Sequence, residues 1–236
     1  MTAHTIATSK EQWLAARREL LAKEKAHMRA GDELARERRA LPWVPVTKDY
    51  QFRTAEGPRS LSDLFDGRSQ LIVYHFMYGP DAKRGCPSCS FWSDHFAGSI
   101  PHLAARDVTL LAVSRGPLAS LQAFAERLGW SHTWVSSQGS QFNYDFDVSM
   151  RAEDLENNTA SYNFRAAKGT MGERHGISVF AKDDTGAVFH TYSCYARGAE
   201  VVNNTYHYLD LAPKGRDEAE LPYPMSWVRF NDSYGE

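Results

Sequence analysis

Three cysteines in 236 residues are too few to staple a fold, and their odd number argues against a structural disulfide framework. No apolar run approaches the length needed to cross a bilayer. Met1 to Lys10 holds no apolar signal region. Together these absences lead to the expectation of a cytoplasmic protein with no membrane partner, whose thiols are kept reduced. A formal net charge of −2 gives no sign of nucleic-acid binding. Zinc needs four ligands, and beyond one cysteine pair only Cys194 and histidines without metal spacing remain, so no metal is expected. Asp145 and Asp147 lack the further oxygen ligands of a calcium loop and read as surface carboxylates. No cofactor is expected. Asn-x-Thr at Asn157 and Asn203 carries no meaning without secretion.

Two of the three cysteines stand together in Cys86-Pro87-Ser88-Cys89. Before them, Leu71 to Tyr78 is nearly all apolar, with β-branched and aromatic residues. It reads as a strand buried on both faces, in a parallel sheet covered by helices. Gly79, Pro80 and Gly85 make the loop that follows. Pro87 suits the first position of a helix, which sets Cys86 at the helix start. A thiolate there meets unpaired backbone N–H groups and the positive end of the helix dipole, so its pKa falls. Lys83 and Arg84 add favourable charge. Cys89 lies one turn later on the same face, within disulfide reach. Cys86 is therefore the expected attacking thiol and Cys89 the resolving thiol. Pro87, Ser88 and Trp92 complete the candidate site. Inert cysteines packed at a helix start are the bland alternative.

The remaining chain has a readable order. Ser9-Lys10-Glu11-Gln12 is a capping box, so a helix starts near Lys10. Trp13, Leu20, His27 and Leu34 form one row at heptad spacing, and Leu14, Leu21 and Met28 a second. His27 reads as a packing residue. Gly31-Asp32 is expected to break this helix, with a second piece running to Ala40 and Pro42 ending it. Leu41 to Val46 is extended, Tyr50 to Phe52 a short strand, Gly57 to Leu61 a turn. A one-turn helix ends at Phe65, and Asp66-Gly67 turns into the central strand. Phe91, Trp92, His95 and Phe96 share an apolar face, interrupted at Gly98 to Pro101. Val108 to Val113 is a second buried strand, and Leu118 to Leu128 a helix closed by Gly129. Strand, helix, strand, helix implies a parallel sheet. Thr133 to Ser136 is a short strand. From about 138 to 172 no period survives, which suits a lid, a binding loop or a subunit contact. Gly176 to Ala181 and Ala187 to Tyr192 form a hairpin around Asp183 to Gly186. Cys194 follows it and reads as structural, with exchange against Cys86 left open. Gly198 to Leu209 reads as a closing helix with Val201, Val202, Thr205 and Leu209 inward.

This order resembles a thioredoxin-like fold, and the approach through Tyr50-Gln51-Phe52 and Leu61-Ser62-Asp63-Leu64 is similar to the peroxiredoxin-related branch. More specifically, the chain resembles the bacterial family known as domain of unknown function 899, also called predicted dithiol–disulfide oxidoreductases. The matching stretches are Leu41-Pro42-Trp43-Val44, Asp66-Gly67-Arg68-Ser69-Gln70-Leu71, Gly85 to Trp92, Phe142-Asn143-Tyr144-Asp145 and Thr205 to Asp210. The resemblance implies an α/β protein with a central mixed sheet flanked by helices, and a pair of thiols, without a substrate. Departures from thioredoxin are Gly85, where tryptophan precedes the first cysteine, and Gly176-Ile177, where a cis-proline faces the disulfide. The threonine of peroxidases is absent, since residues 82 to 85 are Ala-Lys-Arg-Gly.

The expected organisation is a helical arm over 1–41, a thioredoxin-like domain over 42–212 with its insert at about 138–172, and a tail over 213–236 strapped to the surface. The narrow stripe suits an arm laid on the domain or on a second subunit, so a homodimer through the arm is one expected partner arrangement. The expected activity is a thiol–disulfide oxidoreductase acting on an unidentified disulfide or thiol substrate. A non-catalytic scaffold on the same fold is the alternative, and a thiol peroxidase working through a Cys86 sulfenate a further one.

Overall fold

The computed structural model describes residues 5–167 and 172–235 and divides into two units, Met1–Pro42 and Trp43–Glu236. The first unit is one helix, α1 (Lys10–Arg39), capped by the Ser9 side chain on the Gln12 amide. It runs through Gly31-Asp32 without the expected break. A lone glycine costs a helix only about 1 kcal/mol, and the long run of Ala, Leu, Arg, Glu and Lys around it absorbs that cost.

In the second unit β1 (Val44–Pro45), β2 (Gln51–Thr54) and β3 (Gly57–Ser60) come first. Residues 57–60, expected as a turn, are the return strand of a hairpin with β2. Pro58 is tolerated because β3 is the outer edge of the sheet, where its missing N–H leaves no ladder bond unmade. Then follow β4 (Gln70–His75), α2 (Pro87–Ser93), α3 (Phe96–Ala104), β5 (Val108–Ser114), α4 (Leu118–Arg127) and β6 (Trp134–Ser136). The break between α2 and α3 falls at Asp94-His95 rather than at Gly98 to Pro101. Asp94 leaves the helical run to accept the Trp130 indole N–H at 2.7 Å and the Asn231 amide at 2.8 Å.

The segment expected to be irregular carries short elements: α5 (Phe142–Asp145), β7 (Ser149–Met150), α6 (Ala152–Glu156), β8 (Ser161–Tyr162), β9 (Arg165–Ala166) and β10 (Gly172–Glu173). The hairpin is β11 (Gly176–Lys182) with β12 (Val188–Tyr195), so Cys194 lies inside a strand rather than after it. The closing segment is two elements, a 3-10 helix over Ala196–Val202 and α7 (Asn204–Leu211), the latter capped by Asn203 on the Tyr206 amide. A 3-10 turn advances each residue further than an α-turn, which rotates Val201 and Val202 outward to 63% and 41% exposure instead of inward.

The sheet order is β1-β12-β11-β4-β5-β6-β2-β3. β4, β5 and β6 are parallel, β11 runs antiparallel to β4, and β12 antiparallel to β11. This is a thioredoxin-like α/β fold with a mixed central sheet flanked by helices, extended by β2 and β3 at one edge. β4 alternates between two cores, as strand geometry requires. Tyr74 and Phe76 enter a cluster with Phe91, Trp92, Phe96, Leu121 and Phe124 from the helices. Leu71 and Val73 enter the other, with Phe52, Phe65 and Phe180. That second face is covered by the insert: Phe142 and Phe146, one helical turn apart, are both buried in it. The C-terminal tail is strapped down by paired Arg127–Asp232 bonds at 2.7 and 2.9 Å and by Phe230 against Phe124.

His75 shares the second face and is fully buried. Its Nε2 is 2.8 Å from Ser178 Oγ, which is 2.9 Å from Ser193 Oγ, itself 2.8 Å from His190 Nε2. This polar chain crosses β4, β11 and β12 among aromatic rings. Burial holds His75 neutral, with a pKa near 3, and His190 adds to the effect. His132, between Phe96 and Trp130 with neither ring nitrogen bonded, is held near 4 by burial. Below about pH 6.5 the unfolded chain takes up protons that the folded histidines refuse, so stability falls from there toward pH 4, by up to about 1.4 kcal/mol per pH unit for each residue. The urea midpoint of the wild type is expected to drop through this window. His132→Leu should flatten the slope; an unchanged slope would mean that His132 is not buried neutral.

Candidate functional site

Tyr78 is not in the strand as expected, because β4 ends at His75. The Phe76 amide still bonds Val113 O at 2.9 Å, but the Tyr78 amide turns back onto Phe76 O at 2.9 Å. The chain then passes through the loop to Gly85 and re-enters beside the strand end, where the Cys86 amide donates to Met77 O at 3.2 Å. Gly85 has no room for a side chain: a Cβ would lie 2.9 Å from the Phe76 and Phe124 rings. This close approach brings Cys86 down onto the sheet end and replaces the tryptophan of thioredoxins.

Cys86 is the extended N-cap of α2, with Pro87 at the first helical position. It is half-buried, whereas Cys89 is 1% exposed. The Cys86 pKa is lowered to about 6. The largest cause is the Cys89 S–H directed at the Cys86 sulfur. The amides of Cys89 and Ser88 and the Ser88 hydroxyl act the same way, against burial, which raises it. These donors surround the sulfur without closing a side-chain cap bond. Cys89 is pushed well up, by burial first and by Cys86 second. Its sulfur accepts the Met77 amide at 3.5 Å. None of the three cysteines is in a disulfide here.

Sequence reasoning missed Tyr74. Its hydroxyl is fully buried and lacks an ordinary hydrogen-bond partner. What it faces is Cys89, and its direction there favours the thiolate, since it lowers the Cys89 pKa while burial raises it. Period-2 alternation in β4 could have placed Tyr74 on the helix side of the sheet. Tyr162, from the insert, donates to His175 O at 2.8 Å and accepts the Ala196 amide at 3.1 Å. Burial raises its pKa above the ordinary tyrosine value. Nothing in the aperiodic insert announced this residue.

Of the supporting residues, Pro87 and Ser88 sit at the thiols and Trp92 is core, its indole donating to Ala199 O at 2.9 Å. Lys83 and Arg84 are exposed, and Arg84 lies over the Phe230 ring at 6.0 Å. His95 is half-buried and pairs with Thr205 Oγ1 at 2.9 Å. Beside Trp92 a cleft of about 460 Å³ is lined by His175, Arg197, Glu200, Tyr206 and Arg216. Asp145, expected on the surface, holds Lys48 and the Tyr50 hydroxyl, both at 2.8 Å. Among the described residues no cluster of His, Cys, Asp or Glu could hold a metal ion, and no helix is long and apolar enough to cross a membrane.

The departure at Gly176 has a physical reason. Gly176 pairs with His75 on one side and Tyr195 on the other. A Cβ there would lie 2.5 Å from the Tyr195 ring. The ring covers the backbone where thioredoxins expose a proline, and among the described residues no peptide bond is cis.

A mixed sheet with a Cys-x-x-Cys helix leading off its central parallel strand defines a thioredoxin-like protein with a thiol pair at the strand end. The chain belongs to the family described as bacterial protein of unknown function (DUF899), whose model matches residues 1–234. It matches none of the curated proteins. Among solved structures it is similar to a mutant of peroxiredoxin Q from Xanthomonas campestris, with 15% identity, TM-score 0.47, and 68% of this chain and 90% of that chain covered. Peroxidoxin BcpB from Mycobacterium tuberculosis is similar at 18% identity and TM-score 0.44, over 70% of this chain and 94% of that one.

Gly176→Ala is expected to lower stability by about 1–3 kcal/mol, because the tyrosine ring cannot move freely out of a packed sheet. Chemical denaturation measures it. A change within a few tenths of a kcal/mol would show that the ring yields.

Proposed function

We propose that the protein is a thiol–disulfide oxidoreductase in which Cys86 attacks and Cys89 resolves. The observation that carries this reading is the opposed setting of the two sulfurs: the half-buried one at the helix start is held toward the thiolate, the fully buried one toward the thiol. The Cys86 thiolate attacks one sulfur of a substrate disulfide R–S–S–R′. A Cys86–S–S–R bond forms and R′S⁻ leaves, taking a proton from solvent. Cys89 then attacks the Cys86 sulfur as its proton passes to solvent, expelling RS⁻, which takes a proton back from solvent. The substrate gains two electrons and becomes two thiols, while the enzyme dithiol becomes a disulfide that an external dithiol must reduce. Run backwards, the same steps oxidise a dithiol. The proposal places the protein in the cytoplasm, where thiols are kept reduced and dithiols are at hand to reset the disulfide.

The second step needs a thiolate in a closed apolar site. The Met77 amide and the Tyr74 hydroxyl are the donors that face the developing charge on Cys89. Hydrogen bonds to a charged group are worth about 1.5–3 kcal/mol, enough to decide the rate of resolution.

Thiolate absorbance is expected to titrate with a midpoint near pH 6, and Cys86→Ser should abolish that transition and all exchange with a model disulfide. Cys89→Ser should accumulate a mixed disulfide with the substrate. An ordinary thiol titration, together with no Cys86–Cys89 disulfide across a range of glutathione potentials, would sink the proposal in favour of a scaffold. Peroxide consumption faster than that of free cysteine, with no disulfide exchange, would replace it by a peroxidase. Tyr74→Phe should leave the Cys86 titration and the first step intact, and slow release of the mixed disulfide about tenfold. Equal release rates would remove Tyr74 from the reaction.

A further inference from the structure

We propose that α1 pairs antiparallel with α1 of a second copy of this chain, along the row Trp13, Leu20, His27 and Leu34. Trp13, Leu20 and Leu34 are 55%, 51% and 55% exposed, the neighbouring Met28 is 67% exposed, and no residue of α1 is buried. Single exposed apolar side chains are ordinary, but a seam of them along 30 residues is not. The row repeats every seven residues. A straight helix drifts off such a repeat by about 20° per heptad, and the row stays in one seam only by supercoiling against another helix.

Charge selects the orientation. Paired antiparallel about the Lys23-Glu24 midpoint, Lys23 of each copy meets Glu24 of the other. Lys10 then meets Glu37 at each end. The same register sets Trp13 against Leu34 and Leu20 against His27, and puts Ala16 opposite Gly31, where the two backbones can approach. A parallel pair would set Lys23 on Lys23 and Glu24 on Glu24, and would align the helix dipoles unfavourably. Two faces of this length, about 45 Å each, bury on the order of 1,200 Å², the lower end of what a stable pair needs.

Sedimentation equilibrium of the full chain is expected to give twice the 26.6 kDa chain mass at micromolar concentration. Leu20→Lys with Leu34→Lys, both at exposed positions, should weaken the dimer at least about 100-fold and leave the circular dichroism and the Cys86 titration unchanged. Lys23→Glu should also weaken it, and the exchange Lys23→Glu with Glu24→Lys should restore it. A wild type that stays monomeric, or a double lysine variant that stays dimeric, overturns the proposal. Failure of the charge exchange to restore pairing overturns the antiparallel register.

Discussion

The site rests on a single interaction: two sulfurs one helical turn apart lie close enough for the proton of one to favour the anion of the other. Cys89 gives its S–H to Cys86, so Cys86 is held as the anion and Cys89 is held protonated. Each tuning also has its own support: burial holds the Cys89 proton, and the Ser88 and Cys89 amides with the Ser88 hydroxyl favour the Cys86 anion. The helix start adds amides, the strand end adds the Met77 N–H, and Gly85 lets the chain drop close enough for both to reach. The two aromatic cores then act as walls, keeping the donors fixed and water away from the inner sulfur.

That arrangement explains why the protein departs from thioredoxin where it does. Phe76 and Phe124 occupy the space that a larger residue at position 85 would need. The Tyr195 ring occupies the space over Gly176. Both departures follow from aromatic packing that reaches to the edge of the thiol site, and the insert supplies part of it. Phe142 and Phe146 close the far face of the sheet, so part of the segment that reads as a lid, a binding loop or a subunit contact is a structural cover.

Local signals were legible and remote ones were not. Four consecutive residues, Cys86 to Cys89, encode a helix start with both thiols on one face, and no distant contact is needed to read them. The apolar runs at 71–75 and 108–113 show their strands because both faces are buried. Phe142 and Phe146 could not be read as core, because a four-residue helix has no period to detect. An α-helical period points Val201 and Val202 inward, and a 3-10 turn does not follow that period. Gly31 carries a local break signal that its helix-forming neighbours outweigh. Tyr74 and Tyr162 belong to the site through sheet register and insert path, neither of which a linear pattern contains.

The stabilised anion at Cys86 also bears on oxidising power. A thiolate with a pKa near 6 lowers the free energy of the dithiol form at pH 7 by about 1.4 kcal/mol relative to an untuned thiol, or about 30 mV for a two-electron couple. Under the proposed chemistry a Cys86–Cys89 disulfide is thereby easier to reduce, and the pair favours donating disulfides more than an untuned pair would. The donors that hold the Cys86 anion would thus also bear on which way electrons flow.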